Sequence, residues 1–313
     1  MKNSRRGPVD PAYKPTWQPQ PLRSAVVAFV ATLHQYARLM RLDKPVGFWL
    51  LLWPTLWALW IAGKGRPDPR MLIVFLCGVV VTRSAGCVIN DFADRDFDRQ
   101  VRRTADRPLA TGRVGRGEAL VLFVALGLVA VALALALPPA ARALAAIGAG
   151  LTVTYPLMKR FVHIPQLYLG AAFGWGVPMA FAALEGSVPR LGWLLFVAAV
   201  LWAVVYDTMY AMVDREDDRR AGIKSSAILF GEADRAVIAM VQAMILYALV
   251  LVAGKAGLGA WYFAGLAAGA VLFLHGQWLI RDRHPVGCFR AFNDAHYFGL
   301  CVFVGIALDY LYR

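Results

Sequence analysis

Residues 90–98 read Asn-Asp-Phe-Ala-Asp-Arg-Asp-Phe-Asp and place four carboxylates within eight residues, at the end of a long apolar run. An α-helix turns about 100° per residue, so residues three or four apart share a face. If the helix continues through this stretch, four polar residues lie within roughly 100° of one another: Asn90, Asp91, Asp94 and Asp98. Asp96 then points away. Because clustered anions repel one another and are costly to desolvate, we expect a divalent cation at this face.

The composition is that of an integral membrane protein. The chain of 313 residues is 59% hydrophobic, with a mean hydropathy of +0.54. Its apolar runs are as long as a hydrocarbon core requires and lack the alternation of strands, which favours helices over a β-barrel. We expect an all-α, polytopic membrane protein with nine transmembrane helices: 45–62, 71–92, 118–137, 140–157, 164–184, 191–213, 236–254, 259–280 and 294–312.

The distribution of Lys and Arg predicts the orientation. With the N-terminus in the cytoplasm, 25 of the 33 basic residues fall in cytoplasmic segments and seven on the opposite side. Basic residues concentrate in cytoplasmic loops, so this orientation is favoured. It also explains the net charge of +13 without a nucleic-acid partner. We expect the acidic residues at 91–98, and a second acidic group at 214–218, to face the cytoplasm from a bacterial inner membrane.

The N-terminal region differs from the rest of the chain. Residues 1–21 carry five prolines and few large aliphatic side chains, which predicts a disordered cytoplasmic tail. Residues 22–313 are expected to form one transmembrane domain. Within it, residues 22–42 hold an apolar run too short to span, followed by basic residues, which is typical of an interfacial helix.

A second acidic cluster, Asp214-Arg-Glu-Asp-Asp218, ends another long apolar run. Asp214 and Asp218 are four apart and share a face, and Asp207 lies about two turns deeper on that face. One such cluster is ordinarily a solvated acidic loop, but two at corresponding depths favour a shared site. Mg²⁺ is typically held by one or two carboxylates plus substrate phosphate oxygens. We therefore predict Mg²⁺ on a diphosphate between the clusters, with five candidate ligands: Asp91, Asp94, Asp98, Asp214 and Asp218.

A diphosphate also requires cations, and guanidinium groups match phosphate oxygens bidentately. The candidates follow or precede the apolar runs on the predicted cytoplasmic side: Arg41, Arg103, Arg107, Lys159, Arg160 and Lys224. For each of them, positive-inside topology alone is the alternative explanation.

Arg83 is exceptional because it lies within a predicted span, about 16 Å deeper than Asp94 by helical rise. A lone arginine at that depth is costly unless it is paired. Two interpretations stay open: an ion pair with Asp207, or a site for the carboxylate of an organic substrate.

These stretches resemble the UbiA superfamily of intramembrane aromatic prenyltransferases, from about Met40 to the C-terminus. The resemblance is carried by the patterns around the two clusters and by shorter motifs: 41–47 (RLDKPVG), 83–98 (RSAGCVINDFADRDFD), 155–160 (YPLMKR), 206–218 (YDTMYAMVDREDD) and 222–226 (GIKSS). The lead-in RSAGC and the motif GIKSS are similar to those of the branch that prenylates 4-hydroxybenzoate.

The resemblance implies nine transmembrane helices around a central cavity with a lateral opening to lipid. It implies Mg²⁺-dependent transfer of a polyprenyl group from polyprenyl diphosphate to the ring carbon ortho to the hydroxyl of 4-hydroxybenzoate, a step of ubiquinone biosynthesis. Asn90, Tyr155 and Asp207 are the expected catalytic residues, and Arg83 and Asn90 are expected to bind the aromatic acceptor.

Two alternatives remain. The same scaffold is compatible with another acceptor, such as homogentisate, dihydroxynaphthoate, or a haem or chlorophyll precursor. A secondary transporter is the non-enzymatic alternative, since intramembrane Asp and Arg also mark ion paths. Transporters place their sites near the midplane on broken helices, whereas the charges here cluster at one surface.

Overall fold

The computed structural model describes residues 21–313 except 100, 102 and 223, and without the side chains of residues 21–25, 159 and 221. Nearly all of the predicted tail, residues 1–20, lies outside the described residues. The described part consists of helices and their connecting loops, without a β-strand. The predicted all-α fold is therefore confirmed.

Thirteen α-helices follow one another in this described part, with a short 3-10 turn at Gly231–Ala233. Their bounds are α1 (Pro21–Leu39), α2 (Val46–Ala62), α3 (Pro69–Asp98), α4 (Arg116–Leu135), α5 (Pro139–Phe161), α6 (Pro165–Gly174), α7 (Gly176–Glu185), α8 (Arg190–Ala221), α9 (Ser226–Phe230), α10 (Asp234–Ala256), α11 (Ala260–Leu279), α12 (Pro285–Asp294) and α13 (His296–Leu311).

Seven helical segments of the described chain are long and apolar enough to cross a membrane, which makes the chain a multi-pass membrane protein. They are Pro69–Asp98, Arg116–Leu135, Pro165–Glu185, Arg190–Arg220, Ser226–Ala256, Ala260–Leu279 and Pro285–Leu311. The other two of the nine predicted spans correspond to α2 and α5. Helix α2 is apolar but has only 17 residues. The glycine and threonine residues of α5 lower its mean hydropathy. Length and composition thus support seven of the nine predicted crossings.

Two of the predicted spans are broken helices. Residues 164–184 form α6 and α7, which meet at Trp175. Pro178 lacks the N–H that would bond to the carbonyl of Gly174, so the helical ladder is interrupted there. Residues 294–312 were expected to be one helix, but the segment begins earlier, as α12, and the helix is interrupted at Ala295. The hydropathy pattern does not show the break at Trp175, because α6 and α7 are both apolar.

An aromatic core holds α2, α8 and α13 together. The ring centroid of Trp202 lies 5.5 Å from that of Trp57 and 5.7 Å from that of Phe298, and all three side chains are buried. The indole N–H of Trp57 donates to the carbonyl oxygen of Gly299 over 2.9 Å. Tyr206 packs edge-on against Trp202. This contact joins the core to the wall of the cavity described below.

Helix α1 is docked at its C-terminal end and apolar on its exposed face. Leu39 is fully buried in a small core with Val88 and Leu109, and Arg38 forms an ion pair with Asp106 at 2.8 Å. By contrast, Phe29 and its apolar neighbours are exposed. An exposed apolar face suits the predicted interfacial helix, which stays a prediction.

Candidate active site

A cavity of about 740 Å³ lies between α2, α3, α5, α6, α8 and the α12–α13 pair. Its wall contains eight of the residues predicted from the sequence: Arg41, Arg83, Asn90, Asp91, Arg103, Arg107, Tyr155 and Asp207. Much of the remaining wall is aromatic or aliphatic and includes Trp49, Leu50, Phe173, Tyr206, Phe289 and Phe292. The cavity therefore combines a charged region with an apolar one.

Helix α3 continues through the first acidic cluster to Asp98, as the spacing predicts. Asp91, Asp94 and Asp98 are buried on one face of this helix. The side chain of Asp96 is 72% exposed and pairs with its neighbour Arg95. The helical period thus separates three buried carboxylates from one solvated carboxylate within eight residues.

Asp91 is the centre of a buried ion network, and it is only 1% exposed. Its two carboxylate oxygens accept hydrogen bonds from Nη2 of Arg41 over 2.8 and 2.9 Å. Nη1 of Arg107 lies 2.9 Å from the same carboxylate. Arg41 has a left-handed backbone (φ 61°), which non-glycine residues seldom adopt. The bidentate contact with Asp91 holds Arg41 in this conformation, so Asp91 orients two arginines of the cavity wall.

Arg107 connects this network to Asp98, whose Oδ2 lies 2.8 Å from Nη1 of the arginine. Burial by itself lowers the pKa of Arg107, but the charges of Asp91 and Asp98 outweigh burial and raise it above the ordinary value. The guanidinium therefore stays charged.

Arg103 holds the second acidic cluster. Its Nε lies 2.9 and 3.0 Å from the carboxylate oxygens of Asp214. Its guanidinium also donates to the hydroxyl of Tyr210 and stands 4.5 Å from the centre of that ring. Burial lowers the pKa of Arg103, whereas Tyr210 and Asp214 raise it, and the net shift is upward. The loop after α3 is thereby tied to α8.

Lys44 also lines this end of the cavity. Burial lowers the pKa of Lys44, and the charges of Arg41, Arg103 and Arg107 act in the same direction, whereas Asp43 acts against them. Several cationic groups on one part of a cavity wall attract an anionic ligand.

The carboxylates of the two clusters have the chemistry that Mg²⁺ requires, since this ion prefers hard oxygen ligands. Asp94 is 2% exposed, and Asp98 and Asp214 stand beside the arginines of the cavity wall. Within the described residues, no three Asp, Glu, His or Cys side chains converge closely enough to hold a metal ion alone. The carboxylate oxygens of the two clusters fit Mg²⁺ in chemical kind, and Asp94, Asp98 and Asp214 stand outside the residues that line the cavity.

Arg83 lies deeper in the cavity, where three residues confine its guanidinium. The charge stands 5.7 Å from the ring centre of Phe173, and Nη1 contacts the sulfur of Cys87. A methyl group at Gly47 would lie 2.7 Å from Cζ of Arg83, so only glycine leaves room there. In the described residues no ion pair joins Arg83 to Asp207, which removes support for the structural alternative. Nε of Arg83 is buried and makes no hydrogen bond in this part of the chain.

Asp207 on α8 and Tyr155 on α5 both line the inner cavity. Gln166 on α6 is buried close to Asp207. Sequence reasoning missed Gln166, although a glutamine inside an apolar segment is a signal that can be noticed. It also missed Tyr210, whose spacing from Asp207 and Asp214 places it on their helix face.

Comparison with known proteins identifies the family. The model of the UbiA prenyltransferase family matches residues 51–302. The chain belongs to the UbiA prenyltransferase family. It is 59% identical over 276 residues to the 4-hydroxybenzoate octaprenyltransferase of Nitrosococcus oceani, covering 88% of this chain and 97% of that protein. It is 56% identical over 275 residues to the protein of the same name from Alkalilimnicola ehrlichii, covering 88% and 94%.

Solved structures agree with this assignment. The apo structure of a UbiA homologue from Aeropyrum pernix K1 matches with a TM-score of 0.72 and 27% identity, over 83% of this chain and 97% of that chain. A UbiA homologue from Archaeoglobus fulgidus bound to GPP and Mg²⁺ matches with a TM-score of 0.64, over 87% and 99% of the two chains. The match to the Archaeoglobus fulgidus homologue has 19% sequence identity and shows the fold alone.

Some predicted residues of this UbiA-family chain do not line the cavity. Arg160 is exposed, with Nη2 3.1 Å from the carbonyl oxygen of Ala93 and its charge over the ring of Phe97. Nζ of Lys224 lies 3.3 Å from the carbonyl oxygen of Phe161. These two cations bind backbone carbonyl oxygens and do not line the cavity, and their predicted diphosphate contacts stay predictions. The side chain of Lys159 lies outside the described residues, so its predicted role is untested.

Proposed function

We propose that this UbiA-family chain transfers a polyprenyl group from polyprenyl diphosphate to the carbon ortho to the hydroxyl of 4-hydroxybenzoate. The products are 3-polyprenyl-4-hydroxybenzoate and diphosphate, as in ubiquinone biosynthesis. The observation that carries the proposal is a cavity with anchored arginines at one end and, further in, Arg83, whose buried Nε makes no hydrogen bond within the described residues. Relatives that cover 88% of the chain at 56% and 59% identity carry the name 4-hydroxybenzoate octaprenyltransferase.

The diphosphate is assigned to the end that carries Arg41, Arg103 and Arg107. Each guanidinium is held by a carboxylate, so it is oriented before the substrate arrives. Preorganised cations act most strongly on charge that develops in the transition state, which here is the charge of the departing diphosphate. The predicted diphosphate contacts of Arg160 and Lys224 require these side chains to leave the backbone carbonyls that they bind. The predicted contact of Lys159 stays part of the proposal.

Mg²⁺ is assigned to Asp94, Asp98, Asp214 and Asp218, with substrate phosphate oxygens as further ligands. When bound there, the ion supplies positive charge that stabilises the leaving diphosphate. Asp91 was also a predicted metal ligand. Because two arginines, Arg41 and Arg107, engage its carboxylate, whereas Asp98 and Asp214 are each paired with one, we assign Asp91 the positioning of these arginines instead. The binding of GPP and Mg²⁺ by the Archaeoglobus fulgidus homologue is consistent with these assignments.

The acceptor is assigned to the inner part of the cavity. The carboxylate of 4-hydroxybenzoate would take Arg83 as its partner and satisfy the buried Nε, which has no hydrogen bond in the described residues. A guanidinium binds a carboxylate through two parallel hydrogen bonds, and this geometry orients the ring. Asn90 lies on the same helix two turns from Arg83 and lines the cavity between the two ends. It is assigned a contact with the acceptor.

The reaction follows from this placement. The allylic C–O bond breaks as the arginines take up the charge of the diphosphate, and the prenyl cation forms beside Tyr155 and Asp207. An aromatic face and a carboxylate both stabilise a cation. The ring carbon ortho to the hydroxyl attacks that cation. The proton on this carbon is then transferred to a base, for which Asp207 is the candidate. The apolar wall keeps water from capturing the cation.

The chain is proposed to lie in the bacterial inner membrane with its N-terminus and the charged end of the cavity in the cytoplasm. Nine crossings are proposed, with α2 and α5 added to the seven long apolar segments. The basis is the excess of Lys and Arg in the segments assigned to the cytoplasmic side. The polyprenyl tail would lie in the lipid.

An acceptor panel tests the proposal. Purified protein is given one polyprenyl diphosphate and, separately, 4-hydroxybenzoate, homogentisate and dihydroxynaphthoate. We expect prenylation of 4-hydroxybenzoate with a kcat/KM at least about tenfold above the others, because only this ligand presents a carboxylate opposite its phenol to Arg83. A higher kcat/KM for another acceptor would reassign the substrate while leaving the prenyl transfer intact.

A further inference from the structure

Asp234, the first residue of α10, is a fully buried carboxylate that stands outside the residues lining the cavity. Its two oxygens lie 3.0 and 3.1 Å from Nε of Arg283, in the loop before α12. Arg215 on α8 donates to Oδ2, and the backbone N–H of Arg235 donates to Oδ1 over 2.6 Å. One carboxylate thus joins α8, α10 and the segment that leads into α12.

The contacts of Asp234 on the side away from α8 are independent of Arg215. Arg283 has a left-handed backbone (φ 53°), and its Nη2 donates to the carbonyl oxygen of Glu232 over 2.6 Å. Asp234 therefore keeps a charged partner and a backbone donor when the arginine of α8 is removed. This matters because a buried carboxylate without a partner destabilises the whole fold.

Two consecutive residues of α8 are held from different sides. Arg103, from the loop after α3, pairs with Asp214, and Asp234 pairs with Arg215. Successive side chains of a helix point about 100° apart, so the two ion pairs together restrain the rotation of α8 about its axis. The side chain of Arg215 is 14% exposed, whereas that of Arg219, one turn further on, is 59% exposed. The restraint therefore acts next to Asp214 and not at the solvated end of the helix.

We propose that Asp234 is a positioning residue for the second acidic cluster: through Arg215 it sets the rotation of α8 and with it the direction of Asp214 and Asp218. The inference rests on the proposed assignment of these two carboxylates to Mg²⁺. Neither Asp234 nor Arg215 lines the cavity, so both act on the cluster through the helix. Residues that orient metal ligands from behind typically contribute about 10-fold to 100-fold to metal affinity.

The test is the binding of Mn²⁺, in place of Mg²⁺, to the purified full-length protein with inorganic diphosphate, measured by EPR without turnover. Arg215→Gln cuts the link to α8 and leaves Asp234 paired with Arg283. We expect the Kd for Mn²⁺ to rise about tenfold. Coulomb's law alone predicts the opposite, because removing a positive charge beside Asp214 favours a cation. The sign of the change therefore separates positioning from charge.

Asp234→Asn removes the same link with the opposite change of charge, and it should also raise the Kd about tenfold. Arg219→Gln is the charge control, since Arg219 pairs with the exposed Glu216 on the same helix. Its Kd should fall or stay within about twofold of the wild-type value. An unchanged or lower Kd for Arg215→Gln would overturn the inference, and so would an equal rise in Arg219→Gln.

Arg313→Gln controls for a general loss of structure. It removes the arginine that pairs with the buried Asp309, which keeps the backbone N–H of Gly259 as a donor. Its Kd for Mn²⁺ should be that of the wild type, and a rise equal to that of Arg215→Gln would show that any lost ion pair weakens binding. Prenyl transfer by the wild-type protein is measured separately, so a failure of this inference leaves the proposed function intact.

Discussion

Arg103, in the loop that follows the first acidic cluster, holds Asp214 of the second, with its Nε 2.9 Å from one carboxylate oxygen and 3.0 Å from the other. Arg107 has the corresponding position at the first cluster, between Asp91 and Asp98. Each cluster therefore holds an arginine that lines the cavity, and of the carboxylates of the two clusters Asp91 lines it as well. A diphosphate that arrives with Mg²⁺ carries both signs of charge and is complementary to this arrangement.

Removing a proposed metal ligand should abolish the reaction. Asp94→Asn and Asp214→Asn are each expected to lower kcat at least about 100-fold, because charge stabilisation of the leaving diphosphate is lost. The measurement is product formation at saturating substrate over a range of Mg²⁺ concentrations. Asp96→Asn is the matched control, since Asp96 lies on the same helix with its side chain 72% exposed. Wild-type rates in either of the first two variants would contradict the metal assignment.

Asp91→Asn distinguishes an anchor of arginines from a metal ligand. We expect KM for the polyprenyl diphosphate to rise about tenfold, because Arg41 and Arg107 lose a charged partner that orients them. The Mg²⁺ concentration at half-maximal rate should not change. If instead the Mg²⁺ requirement rises and KM for the diphosphate stays constant, Asp91 is a metal ligand, as its sequence pattern first predicted.

Arg83→Ala should weaken binding of the aromatic acceptor. The expected rise in KM for 4-hydroxybenzoate is about tenfold to 100-fold, the effect of losing hydrogen bonds between charged groups. KM for the diphosphate should remain unchanged, because its arginines lie at the other end of the cavity. Initial rates with each substrate varied in turn give both constants. Equal changes in the two constants would indicate that Arg83 supports the fold and not the acceptor.

Gly47→Ala tests the close approach of α2 to Arg83. The added methyl group would lie 2.7 Å from Cζ of Arg83 and would displace the guanidinium. We expect a higher KM for 4-hydroxybenzoate with little change in the KM for the diphosphate. Gly78→Ala is the control, since a methyl group at that position on α3 meets no atom within 4 Å. An unchanged acceptor KM for Gly47→Ala would show that Arg83 can move without loss of binding.

The sequence predicts the acidic face of α3 well, because helical geometry is local. Spacing alone separates Asp94 and Asp98 from Asp96, and the structure agrees. It also anticipates an isolated arginine at position 83. These features depend on a periodicity that nine residues are enough to display.

Other features depend on contacts between distant parts of the chain, which periodicity does not encode. The partner of Asp91 is 50 residues away, at Arg41. The same limit applies to Arg160, which has the predicted charge and stands at the end of a predicted span but turns to the backbone of α3. Charge and depth select candidates, and packing decides which of them face the cavity.

The most direct test of the central claim is the identification of the product formed by purified wild-type protein. Polyprenyl diphosphate and 4-hydroxybenzoate are supplied with Mg²⁺ or with a chelator, and the lipid-soluble product is examined by mass spectrometry and NMR. The account predicts a prenyl group on the ring carbon ortho to the hydroxyl, one diphosphate released per product, and no product without Mg²⁺. Transport of 4-hydroxybenzoate into proteoliposomes without a new carbon–carbon bond would contradict it.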